Sequence, residues 1–231
     1  MEAGVEQSFR LHRDHAAFLQ RAIYHADGIK FHSRRTELLP PHSFPDPFVA
    51  AALRWNVPLV VIEHDERSSR QANTLEAALV ADLVRACLEL GLDGRDGIGV
   101  VVPHRAQKAA LRAQLPELAS ADSIDTVERF QGGERDVIIV ACTASDPDYV
   151  SAEAEFLLDP QRLNVALSRA RKKLIVVAAA TVFGTLPSNL PIFERATLWK
   201  RLHSYAAPHR LWQGSRSEYR VRVLGPETDL E

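Results

Sequence analysis

The chain is poor in cysteine, in net charge and in long apolar runs, and each shortage excludes something. It has 2 cysteines among 231 residues. Cys87 sits in a helical pattern and Cys142 ends an apolar run, so both read as small buried thiols and no disulfide is expected. The net charge of −2 removes the global basic footprint of a stand-alone nucleic-acid binder, though not a local groove. The longest near-continuous apolar stretch, Leu174 to Phe183, falls well short of the ~20 residues a membrane span needs. Met1-Glu2-Ala3-Gly4-Val5-Glu6 has neither a basic region nor an apolar core, as a signal peptide would. A cytoplasmic location with no membrane partner is therefore expected.

Several chemical signatures are missing too. No G-x-x-x-x-G-K-[ST] loop is present, so the usual phosphate cradle and its lysine are absent from this sequence. There is no G-x-S-x-G, and neither cysteine lies in a polar or basic setting, which leaves covalent catalysis without a candidate nucleophile. Gly97-Ile98-Gly99 lacks the third glycine and following helix of a dinucleotide fingerprint. His12 and His15 are joined by no cysteine or acidic cluster, so no metal site is expected.

What remains is ordinary for a soluble globular chain: 46% hydrophobic and 25% charged residues. The length suits one large α/β domain or two small ones. Residues 1–57 read as an irregular N-terminal extension, with a short helix from about Asp14 to Tyr24 and a surface excursion at Pro40-Pro41-His42-Ser43-Phe44-Pro45-Asp46-Pro47, where prolines are too dense for regular structure. Regular alternation fills residues 58–203. Leu59 to Ile62, Ile98 to Val102, Val137 to Cys142 and Leu174 to Ala178 are continuously apolar and read as buried strands. Helices are expected between them: one capped by Asn73 with Glu76 as partner in a capping box, one over Ala106 to Leu115, and one opening at Asp159-Pro160 and running to about Arg171. Buried strands alternating with helices argue for an α/β fold with a parallel sheet covered on both faces. Residues 204–231 read as a polar tail in which Tyr219 to Leu224 alternates enough for an edge strand.

Two segments carry the chemistry. Asp125-Thr126-Val127-Glu128-Arg129-Phe130-Gln131-Gly132-Gly133-Glu134-Arg135-Asp136 is a polar, glycine-bearing turn that leads into a buried strand. Arg162-Leu163-Asn164-Val165-Ala166-Leu167-Ser168-Arg169-Ala170-Arg171 is an arginine-rich helix leading into another. Backbone amides at a glycine turn and guanidinium groups projecting from a helix both suit a phosphate chain. Two shorter strings accompany them: Val100-Val101-Val102-Pro103-His104-Arg105-Ala106-Gln107, and Phe9-Arg10-Leu11-His12.

Taken in chain order, the four strings resemble motifs of superfamily 1B helicases, the branch that includes the nonsense-mediated-decay helicase and the DNA-replication helicase/nucleases. The likeness covers about residues 8 to 180. It implies a RecA-like second motor domain lacking the Walker A half. It implies that Arg169, in Ser168-Arg169-Ala170-Arg171, is the arginine finger and that Arg10 reaches the γ-phosphate. Gln131, Gly132, Glu134 and Arg171 would bind ATP, with Glu134 on the ribose. Pro103, His104, Gln107 and Thr126 would line a single-strand track; the family's usual residue after the proline is Tyr, and His104 departs from it. The implied cofactors are ATP and Mg2+, held mainly by a first RecA-like domain supplied in cis or in trans, and the implied partner is single-stranded DNA or RNA. The chain alone would then be inactive as an ATPase. The alternative is a non-catalytic accessory domain that uses the fold to bind nucleic acid or protein; Arg10, Glu134 and Arg169 favour the motor.

Overall fold

A computed structural model describes residues 5–24, 30–118, 123–126, 133–186 and 189–226, with the backbone alone at 5–10, 23, 24, 162, 191, 195, 205 and 206. The large sheet has seven strands. Five are mutually parallel: β3 (Leu59–His64), β4 (Ile98–Val102), β5 (Ile124–Thr126), β6 (Arg135–Ala141) and β7 (Ala170–Ala179). β8 (His209–Arg216) and β9 (Tyr219–Gly225) form a hairpin, and β9 joins β3 antiparallel. The spatial order is β5-β4-β6-β7-β3-β9-β8. A separate parallel pair, β1 (Val5–His12) and β2 (Lys30–Arg35), lies in the N-terminal region that was expected to be irregular.

Side chains alternate across a strand, so each apolar run feeds two cores. Val60, Ile62, Val100, Val102, Ile139 and Val177 pack with α2 (Pro47–Ala52), α3 (Thr74–Glu89) and α4 (Arg105–Gln114). Leu59, Val61, Val101, Ile138, Val140 and Val176 pack on the other face with α1 (Arg13–Leu19), α7 (Pro160–Arg169) and α9 (Leu190–Arg201). Short helices α5 (Pro147–Ala152), α6 (Ala154–Leu157) and α8 (Ala180–Gly184) complete that second layer. This is the α/β, RecA-like arrangement with helices on both faces, extended by two antiparallel strands.

Three boundaries move. The expected helix to Arg171 ends at Arg169, and β7 starts at Ala170, four residues before the expected Leu174. Pairing of Ala170 with Arg135 and of Lys173 with Val137 brings the polar residues Arg135 and Lys173 into the sheet. Residues 204–231 are not merely a tail. His209–Gly225 forms the hairpin, and Arg222 Nε donates to the buried Glu63 on β3 at 3.0 Å while His203 Nε2 lies 2.7 Å from the same carboxylate. Burial raises the Glu63 carboxyl, but His203 and Arg222 outweigh it and hold it below the usual range. No helix among the described residues is long and apolar enough to cross a membrane.

Because the five central strands are parallel, their N-terminal ends share one edge of the sheet and their C-terminal ends the other. That division separates the candidate site residues into two groups.

Candidate nucleotide edge and strand edge

The N-terminal edge holds the candidate nucleotide residues. α7 starts cleanly: Pro160 occupies its first turn, and Asp159 Oδ1 accepts from Gln161 N–H at 3.0 Å. Leu163, Ala166 and Leu167 are buried against the sheet. The helix thereby carries Arg169 to the start of β7, half-buried. In register, Ala170 pairs with Arg135, and Arg169 and Glu134 are the residues directly before that pair. Arg169 Nε is buried and has no hydrogen-bond partner among the described residues. A buried guanidinium nitrogen left unsatisfied is costly and is a reason to look for a ligand.

Glu134 is half-buried, and its Oε2 lies 4.0 Å from Arg35 Nη1 on β2. Arg135 Nη1 donates back to the Glu134 carbonyl at 2.9 Å. Arg35 was not singled out in the sequence. It comes from the polar stretch Phe31-His32-Ser33-Arg34-Arg35, and nothing local marks it as a neighbour of a residue so far along the chain. Arg10 lies on β1, which packs against both α7 and β7, and so its backbone is at this edge; its side chain is outside the described residues. Gln131 and Gly132 lie outside the described residues altogether.

Arg171 departs from the expected nucleotide role. Its Nε is 2.8 Å from Asp136 Oδ1 and its Nη2 donates to the Asp96 carbonyl at 2.7 Å. Lys172 Nζ meets the same Asp136 at 2.9 Å. These contacts staple β7 to β6 and to the loop before β4, so Arg171 holds the edge together and is already engaged.

The C-terminal edge holds the candidate strand residues. Thr126 pairs with Val102, which sets it beside Pro103 and His104. A groove of about 390 Å³ here is lined by Arg105, Lys108, Arg112, Asp125 and Thr126. Lys108 Nζ is paired with Asp125 at 2.8 Å, whereas Arg105 is exposed. His104 precedes α4 without giving it a side-chain cap. Its ring stacks on Phe156 of α6 with centroids 5.5 Å apart and lies 6.2 Å from Tyr149 of α5.

Gln107 requires a correction. It is fully buried, with Oε1 accepting from Asn73 N–H at 2.7 Å and Nε2 donating to the Asn73 carbonyl at 3.1 Å. It therefore has no surface to offer a strand; it fixes α4 against the start of α3.

Behind this edge runs a buried polar network that sequence reasoning missed. Asn73 caps α3 through the Glu76 N–H at 2.9 Å and donates from Nδ2 to Glu66 at 2.8 Å and to the Thr143 carbonyl at 3.1 Å. Glu76 accepts from Thr143 N–H at 2.7 Å and lies 3.1 Å from His64 Nε2. Burial raises the Glu76 carboxyl, with His64 opposing. Glu66 accepts from Ser68 N–H at 2.6 Å and from the Ser145 hydroxyl. Its burial is outweighed by these serine hydrogen bonds, which hold it below the usual range. Thr143 sits at a φ of 69°, a left-handed conformation unusual for a β-branched residue. The network holds it there. Half of the expected capping box thus forms: Asn73 caps, but Glu76 turns to His64 on β3 and to Thr143 just after β6 instead of to Asn73.

The family model described as AAA domain matches residues 4–181. The chain is 39% identical over 141 residues to the regulator of nonsense transcripts 1 of Dictyostelium discoideum, covering 58% of the chain and 10% of that protein. It is 32% identical over 115 residues to the DNA replication ATP-dependent helicase/nuclease JHS1 of Arabidopsis thaliana, covering 50% and 8%. A regulator of nonsense transcripts 1 homolog from Drosophila melanogaster aligns over 95% of the chain at 28% identity, and the match takes up 18% of that relative. The chain spans a fifth or less of the length of each of these relatives.

Proposed function

This chain belongs to the AAA domain family, as a superfamily 1B helicase-like domain, and we propose that it acts as the second motor domain of an ATP-dependent helicase on single-stranded DNA or RNA. The observation that carries this reading is Arg169 at the N-terminal edge of the sheet with its Nε unsatisfied, directly before the Ala170–Arg135 pair that Glu134 also precedes. A carboxylate suits the hydroxyls of a ribose, and a planar guanidinium suits the oxygens of a phosphate chain. Arg10, on the adjacent β1, would bring a second guanidinium. Gln131 and Gly132, shortly before β6 in the sequence, would contribute as well.

Bound ATP with Mg2+ supplies the phosphoryl group to be transferred to water. The role of this chain's residues is electrostatic. Charge in such a transfer spreads over the equatorial oxygens, and an inserted arginine typically contributes ~10³–10⁵ in rate. Arg169 is the residue we assign to that task, and Glu134 to orienting the nucleotide. A first RecA-like domain, in cis or in trans, supplies the lysine loop and the metal carboxylates. On the opposite edge, Pro103, His104 and Thr126 border the strand, with Arg105 in the adjoining groove. Opening and closing of the two motor domains on ATP would move that edge along the strand. Arg171 and Gln107 are structural in this scheme. We place the protein's work in the cytoplasm.

The experiment is a comparison of ATP turnover by the purified chain, with and without single-stranded DNA or RNA, against the same domain joined to its first motor domain. Negligible turnover alone and nucleic-acid-stimulated turnover when joined is the expected result. Robust Mg2+-dependent turnover that stays with the chain alone through several columns would sink it.

A further inference from the structure

We infer that Arg35 is a positioning residue: it holds the Glu134 carboxylate ready for the ribose of the nucleotide, and so sets the preference for a sugar that carries its hydroxyls. The inference rests on the proposed nucleotide-orienting role of Glu134 and adds the residue that aims it. Arg35 closes β2, opposite His12 at the end of β1. Its backbone is pinned there: its N–H donates to Ser33 Oγ at 3.2 Å, and Ser33 Oγ donates to the Leu11 carbonyl at 2.7 Å. The guanidinium forks between two carboxylates. Nη2 donates to Glu37 at 3.1 Å, and Nη1 lies 4.0 Å from Glu134 Oε2. A planar group directed by both terminal nitrogens has few orientations left.

At 4.0 Å the contact with Glu134 is an ion pair and not a hydrogen bond. Attraction draws the carboxylate toward β2, yet this contact takes up none of the lone pairs that would accept from ribose hydroxyls. The positive charge also offsets the repulsion a carboxylate meets near a triphosphate. For the fold itself the pair matters little. The two side chains are 21% and 29% exposed, and partly solvated pairs of this kind stabilise weakly. Arg35 further joins β2, whose partner β1 carries Arg10, to the residue just before β6. Two candidate nucleotide groups from distant parts of the chain are thereby tied to each other.

The test uses the domain joined to its first motor domain, with saturating single-stranded nucleic acid. Steady-state kinetics are compared on Mg2+-ATP and on Mg2+-2′,3′-dideoxy-ATP, which lacks both ribose hydroxyls. The parent should favour ATP by about 10-fold or more in kcat/KM, the usual worth of a hydrogen bond to a charged group. Glu134→Ala should abolish that preference. Arg35→Ala and Arg35→Gln should each cut it by about 3-fold, the range of a partly exposed ion pair. The loss should lie in KM for ATP, with KM for the dideoxy nucleotide and both kcat values held. Arg35→Lys should keep part of the preference, and all three Arg35 variants should melt near the parent. If Glu134→Ala abolishes the preference while Arg35→Ala and Arg35→Gln retain it, Arg35 does not aim the carboxylate, and the ribose reading stands. If those two variants raise both KM values alike, Arg35 acts on the fold or on the phosphates, and the inference is overturned. If the parent itself does not distinguish the two nucleotides, the ribose reading of Glu134 falls, and Arg35 with it.

Discussion

Gln107 and Asn73 grip each other through two opposed hydrogen bonds, one from the Asn73 N–H to Gln107 Oε1 at 2.7 Å and one from Gln107 Nε2 to the Asn73 carbonyl at 3.1 Å. The grip joins the first turn of α4 to the residue that caps α3, and through Asn73 it reaches Glu66 and Thr143. The strand edge is thus built on a polar core rather than on loops.

Gln107→Leu should lower stability by about 1–3 kcal/mol, because it leaves the buried Asn73 N–H without a partner. The Asn73 carbonyl keeps a second donor, the Ala77 N–H at 3.0 Å, so the loss is confined to one group. Urea titration followed by circular dichroism measures it. Unchanged stability together with lost oligonucleotide binding would return Gln107 to the strand as a direct contact.

Much of this frame is legible in the sequence because burial on both faces writes itself as an unbroken apolar run. β3, β4, β6 and β7 are found this way, and α3 announces its start through Asn73. Legibility fails where tertiary pairing overrides local character. Lys172 and Lys173 look like solvated residues after a helix, yet they are strand residues, and Lys173 is 1% exposed. β5 has only three residues and exists through its pairing with Val100–Val102. The β8–β9 hairpin is polar because β8 is the outer edge of the sheet, and a polar edge discourages further pairing. At the site, Arg169 and Glu134 sit in strings recognisable by spacing. Arg35 and Phe156 come from elsewhere in the chain, and only the fold brings them to Glu134 and His104.

Binding of single strands by the isolated domain should be weak and steeply salt-dependent. The net charge is −2, and the groove beside α4 gathers Arg105, Lys108 and Arg112. Arg105→Ala and Arg112→Ala should each reduce the log–log salt slope by about 0.7 if each neutralises one phosphate of a single strand. Lys108→Ala should do less, because Lys108 is already paired with Asp125. Fluorescence anisotropy across a salt series tests this, and tight binding indifferent to salt would contradict it.

Lys173 should make stability rise with pH across the alkaline range. Burial pushes its ammonium from the ordinary 10.5 down to about 7, while Nζ reaches the carbonyls of Arg54 at 3.0 Å and Val57 at 2.5 Å. Between these two values the unfolded chain binds the proton and the folded chain does not, so unfolding takes up a proton and stability increases with pH. The contribution is full above 10.5, lost as pH falls through about 7, and flat below. Lys173→Met should remove that slope, although it takes this donor from the Val57 carbonyl and lowers stability at every pH; the Arg54 carbonyl keeps the Val57 N–H at 3.2 Å. Urea midpoints at several pH values for both proteins give the comparison. Parallel curves would show that the lysine stays charged in the fold.

Arg169→Ala, made in a protein that contains both motor domains, should cut turnover on the order of 10³-fold or more while leaving ATP affinity nearly intact. The guanidinium acts mainly on charge developed during transfer, so the loss belongs in kcat. Arg169→Lys should restore little, since a compact ammonium cannot reproduce the planar fork. Removing Arg169 also removes a buried, unsatisfied Nε, so the alanine variant should melt no lower than the parent. Arg171→Ala should behave oppositely. It breaks the contacts to Asp136 and the Asp96 carbonyl, so it should destabilise the domain and reduce turnover only as far as the edge loosens. Steady-state ATPase with saturating nucleic acid, nucleotide affinity and thermal melting, taken together on the three variants, separate these outcomes. Near-normal turnover in Arg169→Ala, or a loss explained wholly by unfolding, would make α7 a structural helix and leave the finger to another arginine.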